Sequence, residues 1–131
     1  MAPAADIVVE RHMIRPHNDG PLVYLWVEPV DGRKQINGLA ALVQDTLQMN
    51  PFSEQLFVFT NRRRDRCRIL YWERSGFVLW LKRLEKARFA WPHVGADDAV
   101  VTLAPKQLNL LLDGYNIWAM RPHEQVFYEV A

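Results

Sequence analysis

The spacing of hydrophobic and polar positions changes along this chain, and each change marks a new predicted element. Leu22 to Val27 is rich in aromatic and β-branched residues and precedes the turn residues Pro29 and Asp31-Gly32, so it predicts a first strand. Between Arg33 and Met49 the apolar residues recur with helical spacing and predict a helix that ends at Asn50-Pro51.

A series of short strands is predicted next. Leu56 to Thr60 is a compact apolar run, and Arg66 to Trp72 places alternate apolar residues on one face, so the polar stretch between the two runs is the turn of a hairpin. Phe77 to Leu84 alternates again and predicts a third strand, with Phe89 to Trp91 as a short fourth. These strands form a predicted antiparallel meander.

A second helix is predicted after Thr102, a residue suited to an N-cap, with Pro105 in the first turn and Gly114 after the last. We therefore predict a single α+β domain over residues 21–118, an antiparallel β-meander with two helices packed on one face. Residues 1–20 are predicted to form a flexible N-terminal arm, and residues 119–131 a C-terminal tail or an edge strand.

Composition narrows the class of protein. The chain has 131 residues, of which 50% are hydrophobic and 24% charged, which is typical of one soluble folded domain. Cys67 is the only cysteine, so an intrachain disulfide and a Cys-rich zinc site are both excluded and a reducing compartment is indicated. With no signal peptide or apolar run long enough for a bilayer, we predict a cytoplasmic protein with no membrane partner.

The charges are strongly segregated along the sequence. Residues 61–88 carry ten Lys and Arg against three Asp and Glu, a balance of +7, whereas the rest of the chain carries six against twelve, a balance of −6. If folding gathers the basic residues on one surface, that surface attracts a polyanion despite the near-zero net charge. Nucleic acid is the first partner that this pattern suggests.

The basic residues suit a phosphate backbone because a guanidinium offers a planar fork of donors. Arg62 to Arg64 lie at the predicted hairpin tip, and other basic residues lie on the predicted sheet or its edges. The alternative for the tip is a solvated loop. For the Asp31 turn we favour an interpretation in which Asp31 caps the N-terminus of the helix, and the alternative is that Arg33 and Lys34 form a second phosphate-binding patch. The candidate DNA-binding residues are Arg33, Lys34, Arg62, Arg63, Arg64, Arg66, Arg68, Arg74, Lys82, Arg83, Lys86 and Arg88.

Aromatic residues are interleaved with these basic ones. Trp72, Trp80 and Trp91 are candidates for stacking on unpaired bases, as aromatic side chains do on other nucleic-acid-binding sheets. The alternative is that these aromatics belong to the core, which is the commoner role of an aromatic residue in a sheet.

Catalytic chemistry has little support in the sequence. Asp65 and Glu85 sit beside basic residues and are better explained as local charge partners than as metal-binding carboxylates. The four histidines are widely spaced, so we predict that they lie on the surface, and we predict that Cys67 is buried. No Gly-rich phosphate loop occurs. We predict no catalytic residue, no metal and no cofactor; a small magnesium-dependent nuclease is the enzymatic alternative.

Several short motifs occur in order along the chain. They include Val23-Tyr24-Leu25, Asp31-Gly32-Arg33-Lys34, Asn50-Pro51-Phe52-Ser53, Asn61-Arg62-Arg63-Arg64-Asp65-Arg66, Tyr71-Trp72 and Trp91-Pro92. Together these motifs resemble a known family, the small accessory protein called TnpB, or second open reading frame, of bacterial insertion sequences of the IS-sixty-six type. The resemblance covers roughly Leu22 to Trp118. It departs from the family at two turns, where Gly32 stands for a usual Met and Arg64 for a common Gly.

This resemblance implies a part in DNA transposition beside a separate, larger transposase in a bacterial cytoplasm, and it supplies no catalytic residue. It does not extend to the RNA-guided nuclease that is also called TnpB. The leading hypothesis is a non-enzymatic accessory factor that binds DNA, either insertion-sequence ends or nonspecific duplex, through a basic β-surface. The alternative is a protein adaptor that docks the transposase, or other element-encoded proteins, without contacting DNA. Self-association is left open.

Overall fold

The computed structural model describes residues 20–93 and 98–119, which form a five-stranded sheet with a helix on each face. The strands are β1 Val23–Trp26, β2 Leu56–Thr60, β3 Arg66–Glu73, β4 Gly76–Arg83 and β5 Val100–Leu103. Their order is β4-β3-β2-β1-β5, with β1 and β2 parallel and the other neighbours antiparallel. The predicted single α+β domain and the meander β2-β3-β4 are confirmed, although the whole sheet is mixed.

β1 and β2 can pair in parallel because the first helix lies between them in the chain and provides the crossover connection that parallel neighbours need. This helix, α1, spans Ile36–Ala41 and continues into a wider π-helical turn, Leu42–Thr46, in which the Leu47 N–H donates to the Leu42 carbonyl at 3.1 Å. The second helix, α2, spans Pro105–Leu112. A short 3₁₀ turn, Ile117–Ala119, follows it.

The placement of the two helices differs from the prediction. Leu39 and Val43 of the first helical segment pack with Phe57 and Phe59 on one face of the sheet. Leu108 and Leu111 of α2 pack with Val58 on the other face. The helices therefore lie on opposite faces, and the expectation of both on one face is corrected.

The reason is the composition of β2. All five residues of this strand are buried, and the four apolar ones, Leu56 to Phe59, alternate between the two apolar clusters. A strand that is apolar on both sides needs cover on both sides, as in sheets flanked by helices. A continuous apolar run, such as that of Leu56–Thr60, is the sequence pattern of a strand that is buried on both faces.

Two element predictions near the end of the domain are wrong. Phe89 to Trp91 is not a strand; it is buried irregular chain, held by the Phe89 N–H on the Arg64 carbonyl and by the Trp91 indole on the Trp26 carbonyl. Thr102 is not an N-cap, because it lies in β5, which pairs with β1. Ala104 caps α2 instead, and its N–H donates to the Gln107 side chain at 2.8 Å.

The predicted N-terminal arm, except its last residue, and all but the first residue of the predicted C-terminal tail lie outside the described residues, so both stay predictions. Within the described part of the chain, no helix has the length and apolar character that crossing a membrane requires.

Arg68 ties strand β3 to the loop between β1 and α1. Its side chain is 6% exposed, and its guanidinium donates to the carbonyl oxygens of Lys34 and, at 3.2 Å, of Asp31. Burial lowers the Arg68 pKa, but an arginine starts so far above neutrality that it stays charged. The prediction that Arg68 contacts DNA is therefore corrected, because this side chain is committed to the fold.

We expect Arg68→Ala to lower the free energy of unfolding by about 3 kcal/mol, because it removes the buried side chain and the charge-assisted hydrogen bonds that join β3 to the Asp31 and Lys34 carbonyls. Arg66→Ala is the matched control, since Arg66 lies two residues away on the same strand and is exposed; its effect should stay within about 0.5 kcal/mol. Urea unfolding followed by tryptophan fluorescence measures both. Equal stability of the two variants would contradict the anchoring role.

Cys67 provides a second check on the packing. The thiol is fully buried, and this burial raises its pKa to about 12, so little reactive thiolate forms near neutral pH. We expect the native protein to resist a thiol reagent at pH 8 and to release one reactive thiol in denaturing urea. Rapid labelling of the native protein would contradict the buried position of this strand face.

Candidate nucleic-acid interface

Most of the basic candidates gather at one end of the sheet, where β1, β2 and β4 finish and β3 begins; we call this the basic end. The loop after β1 reaches it because the Val30 N–H donates to the Thr60 carbonyl at 2.8 Å. Exposed basic side chains line the loops and strand ends there. They are Arg33, Lys34, Arg62, Arg63, Arg66, Arg83, Lys86 and Arg88, with the half-buried Arg64 among them.

The turn between β2 and β3 is built by Asn61. The Asn61 amide nitrogen donates to the Asp65 carboxylate at 2.7 Å, and its amide oxygen accepts the Arg66 N–H at 3.1 Å. The Arg64 N–H closes the turn on the Asn61 carbonyl at 3.0 Å. The backbone that carries the three arginines is thus held in shape, although Arg62 and Arg63 are themselves exposed.

Asp65 serves this turn rather than an arginine. The hydrogen bond from Asn61 is the main cause that lowers the pKa of Asp65, with smaller contributions from the charges of Arg66 and Arg63. The carboxylate is therefore ionised at neutral pH and locks the turn. The main partner of Asp65 is thus the neutral Asn61 amide, and not the neighbouring arginines that the sequence suggested as its charge partners.

Arg64 holds two parts of the site together through its backbone. Its φ of 61° lies in the left-handed region that favours glycine. Its carbonyl accepts the Phe89 N–H at 2.7 Å, and the neighbouring Asp65 carbonyl accepts the Leu84 N–H at 2.8 Å. These bonds hold the chain beyond β4 against the turn, so that Arg88 lines the same cleft as Arg62, Arg63 and Arg64.

Two of the arginines are paired with carboxylates. Arg33 binds Asp31 with a shortest distance of 2.7 Å, and Arg83 binds Glu85 at 2.9 Å. The hydrogen bond from Arg33 holds the pKa of Asp31 far below its ordinary value. Asp31 does not cap α1, which begins at Ile36 after Gln35, so the predicted helix cap is wrong.

The remaining cations at the basic end make no salt bridge to any acidic side chain in the described ranges. This unpaired set comprises Lys34, Arg62, Arg63, Arg64, Arg66, Lys86 and Arg88. Arg66 also lies directly across from Arg83, and like charges in such a cross-strand pair repel each other. The arrangement leaves an excess of positive charge that a polyanion would neutralise.

Two other basic candidates are not part of this set. Arg74 lies in the turn between β3 and β4, at the opposite end of the sheet. Lys82 points to the α2 face, where its amine donates to the Leu112 carbonyl at 2.8 Å. The structure therefore separates both from the basic end, one by position and one by an internal hydrogen bond.

The three tryptophan candidates do not form a platform at the basic end. Trp91 is 8% exposed and its indole N–H donates to the Trp26 carbonyl at 3.0 Å, so its predicted stacking role is corrected to a core role. Trp80 is half-buried and packs against the core cluster on the α2 face. Trp72 packs edge-on against Phe52 and Phe77 near the far end of the sheet.

Sequence reasoning missed the other wall of the basic end. Asn116 and Trp118, in the segment after α2, line a cleft together with Arg62, Arg64 and Arg88. No local pattern points to them, because more than fifty residues of chain separate them from the β2–β3 turn that carries Arg62, Arg63 and Arg64, which we call the arginine turn. His93 also lines this cleft and is exposed, as predicted for a surface histidine. Within residues 20–93 and 98–119, no three His, Cys, Asp or Glu side chains converge on a metal-sized site.

Comparison with known proteins adds an independent result. A family model described as "IS66 Orf2 like protein" matches residues 22–122 of this chain. Two proteins of Sinorhizobium fredii are similar over most of their length. The one named "uncharacterized protein y4jC" is 38% identical over 102 residues, which cover 78% of this chain and 85% of the relative. The one named "uncharacterized protein y4hO" is 34% identical over 97 residues, which cover 72% and 83%.

No solved structure gives a significant match to the chain. The family match takes in the sheet, both helices and the arginine turn, and it agrees with the resemblance carried by the motifs. On this match and the two relatives, the chain belongs to the IS66 Orf2-like family.

Proposed function

We propose that this protein is a non-enzymatic accessory factor of DNA transposition that binds DNA through phosphate contacts at its basic end. Membership of the IS66 Orf2-like family supports the role in transposition. The observation that carries DNA binding is the set of exposed or half-exposed arginines around Arg62–Arg64 with no carboxylate partner among the described residues. The cytoplasm is the compartment in which such a factor would meet element DNA.

Phosphate binding follows from the chemistry of these side chains. A guanidinium donates two parallel hydrogen bonds to phosphate oxygens, and its charge releases counterions from DNA. Because Asn61 and Asp65 hold the turn, the backbone beneath Arg62 and Arg63 loses little freedom on binding. The basic end would bind the phosphate backbone of DNA, and sequence recognition would come from other contacts or from the transposase.

The same surface suits a competing function. An acidic patch on the transposase could replace the phosphates, and the protein would then be an adaptor that never touches DNA. Two measurements distinguish these functions: the salt dependence of the affinity for DNA, and direct capture of the transposase.

DNA binding should be steeply salt-dependent. Five phosphate contacts predict a log–log slope of about −4.5 on duplex DNA, and Arg62→Ala with Arg63→Ala should reduce its magnitude by about 1.8 and weaken binding roughly sixtyfold at 0.1 M salt. Fluorescence anisotropy of labelled insertion-sequence end DNA and scrambled duplex measures this. Tighter binding to the end sequence would add site recognition to phosphate binding. Unchanged affinity of the double variant would contradict the assigned surface.

Two turn arginines provide a matched test of position. Arg64 and Arg74 both have positive φ, at 61° and 52°, and both lie in turns between adjacent strands, but at opposite ends of the sheet. We expect Arg64→Gly to weaken duplex binding about eightfold at 0.1 M salt, through one lost contact, and Arg74→Gly to leave it unchanged. Both substitutions relieve a left-handed backbone, so neither should lower stability.

Equal loss of binding in the two glycine variants would show a response to net charge alone and contradict a localised interface. If the wild type binds no DNA even at low salt, a pull-down with purified transposase in the presence of nuclease tests the adaptor function. Capture that depends on Arg62 and Arg63 would then replace DNA with the transposase as the direct partner.

A further inference from the structure

Three clefts formed by the described residues include part of the arginine turn in their lining, and one of them differs from the other two in its charge. The first, bounded by strands β3 and β4, includes Glu85 in its lining, and the second, beside the β1–α1 loop, includes Glu28 and Asp31. The third opens toward the segment after α2, and no Asp or Glu is present among the described residues that line it. We call it the end cleft.

The end cleft is strongly positive. Arg62, Arg63 and Arg64 line it from the turn, and Arg88 lines it from the chain beyond β4, which the bond from the Phe89 N–H to the Arg64 carbonyl holds against the turn. Its volume is about 470 Å³, within the range of sites that hold small molecules. Four arginines line this cleft, and their total positive charge exceeds what one singly charged phosphodiester would balance.

The opposite wall of the end cleft is uncharged and well ordered by hydrogen bonds. The Asn116 amide oxygen accepts the N–H groups of Trp118 and Ala119 at 3.1 and 3.2 Å, which leaves the amide NH₂ as its donor group. The Trp118 indole donates to the Ala90 carbonyl at 2.8 Å and so fixes the ring beside the cleft. This wall supplies polar and aromatic surface to a ligand whose charge faces the arginines.

We propose that the end cleft binds a phosphate monoester at the end of a DNA strand. Unlike an internal diester, a terminal phosphate carries close to two negative charges at neutral pH and offers three free oxygens to donors. This inference rests on the proposed DNA-binding function and gives it a defined substrate group. The cleft chemistry is the same for a 5′ and a 3′ terminal phosphate, so the test includes both.

The test compares single-stranded oligonucleotides of one sequence that end in 5′-phosphate, 3′-phosphate or hydroxyl at both ends, each with an internal fluorophore. Anisotropy titrations with the full chain at 0.1 M salt give the affinities. We expect at least one phosphorylated strand to bind about fivefold more tightly than the hydroxyl strand, since one additional charge is neutralised. Inorganic pyrophosphate should reduce this preference at constant ionic strength.

Asn116→Asp tests the cleft with minimal disturbance of the fold. The substitution keeps an oxygen acceptor for the two N–H groups and adds a negative charge beside the arginines. Asn50→Asp is the matched control, because the Asn50 side chain accepts the Phe52 N–H at 2.9 Å in a similar turn that lines a different cleft. We expect Asn116→Asp to abolish the preference for a phosphorylated end and Asn50→Asp to retain it.

A second pair of variants separates the end cleft from the rest of the basic end. Arg88 lines the end cleft and neither of the other two, whereas Arg66 lines those two and not the end cleft. Arg88→Ala should remove the preference for phosphorylated ends, while Arg66→Ala should weaken binding of all strands alike. Circular dichroism of each variant checks that it is folded.

If the wild type binds phosphorylated and hydroxyl strands with equal affinity and still binds duplex DNA, the proposed terminal-phosphate site is overturned and the proposed DNA-binding function is retained. Preference that persists in both Asn116→Asp and Arg88→Ala would overturn this site as well, because the terminal phosphate would then bind elsewhere. Absence of binding to every DNA form would overturn both the terminal-phosphate site and the DNA-binding function.

Discussion

The architecture depends on the burial of strand β2 along both of its faces. Phe57 and Phe59 need one apolar cover and Val58 needs another, so a helix must lie on each side of the sheet. Burial of this surface is the main favourable contribution to folding, since each large apolar side chain contributes about 1.5–3 kcal/mol. With both faces covered, most exposed charges are left to the loops, the strand ends and the sheet edges.

This constraint explains why the basic surface is an end of the sheet and not a face. A flat β-surface that holds nucleic acid needs one face free of helices. Here the free surface consists of loops gathered by a few backbone hydrogen bonds, notably those that the Arg64 and Asp65 carbonyls accept from the chain beyond β4. The arginines are therefore carried by a constrained turn and its neighbours.

Identical residue types have different roles in this chain according to what covers them. Arg66 and Arg68 lie on the same face of β3, two residues apart, yet Arg66 is exposed and Arg68 is buried under the loop that leads to α1. Alternation along a strand assigns a face but not the element that covers it. Trp91 likewise depends on distant parts of the chain: it lies in irregular chain after β4, is buried in the core cluster on the α2 face, and donates its indole N–H to the Trp26 carbonyl of β1.

The sequence by itself determined the local elements and the separation of charge. Strands β1 to β4 and both helices lie near their predicted positions because periodicity and turn residues are local signals, and the excess of arginine at residues 61–88 needs no fold to be seen. Only the tertiary structure decided which face each helix covers, that Val100–Leu103 is an edge strand, and that Asn116 and Trp118 meet the arginine turn. The physical reason is that each of these features is a contact between segments far apart in the chain, which no local pattern encodes.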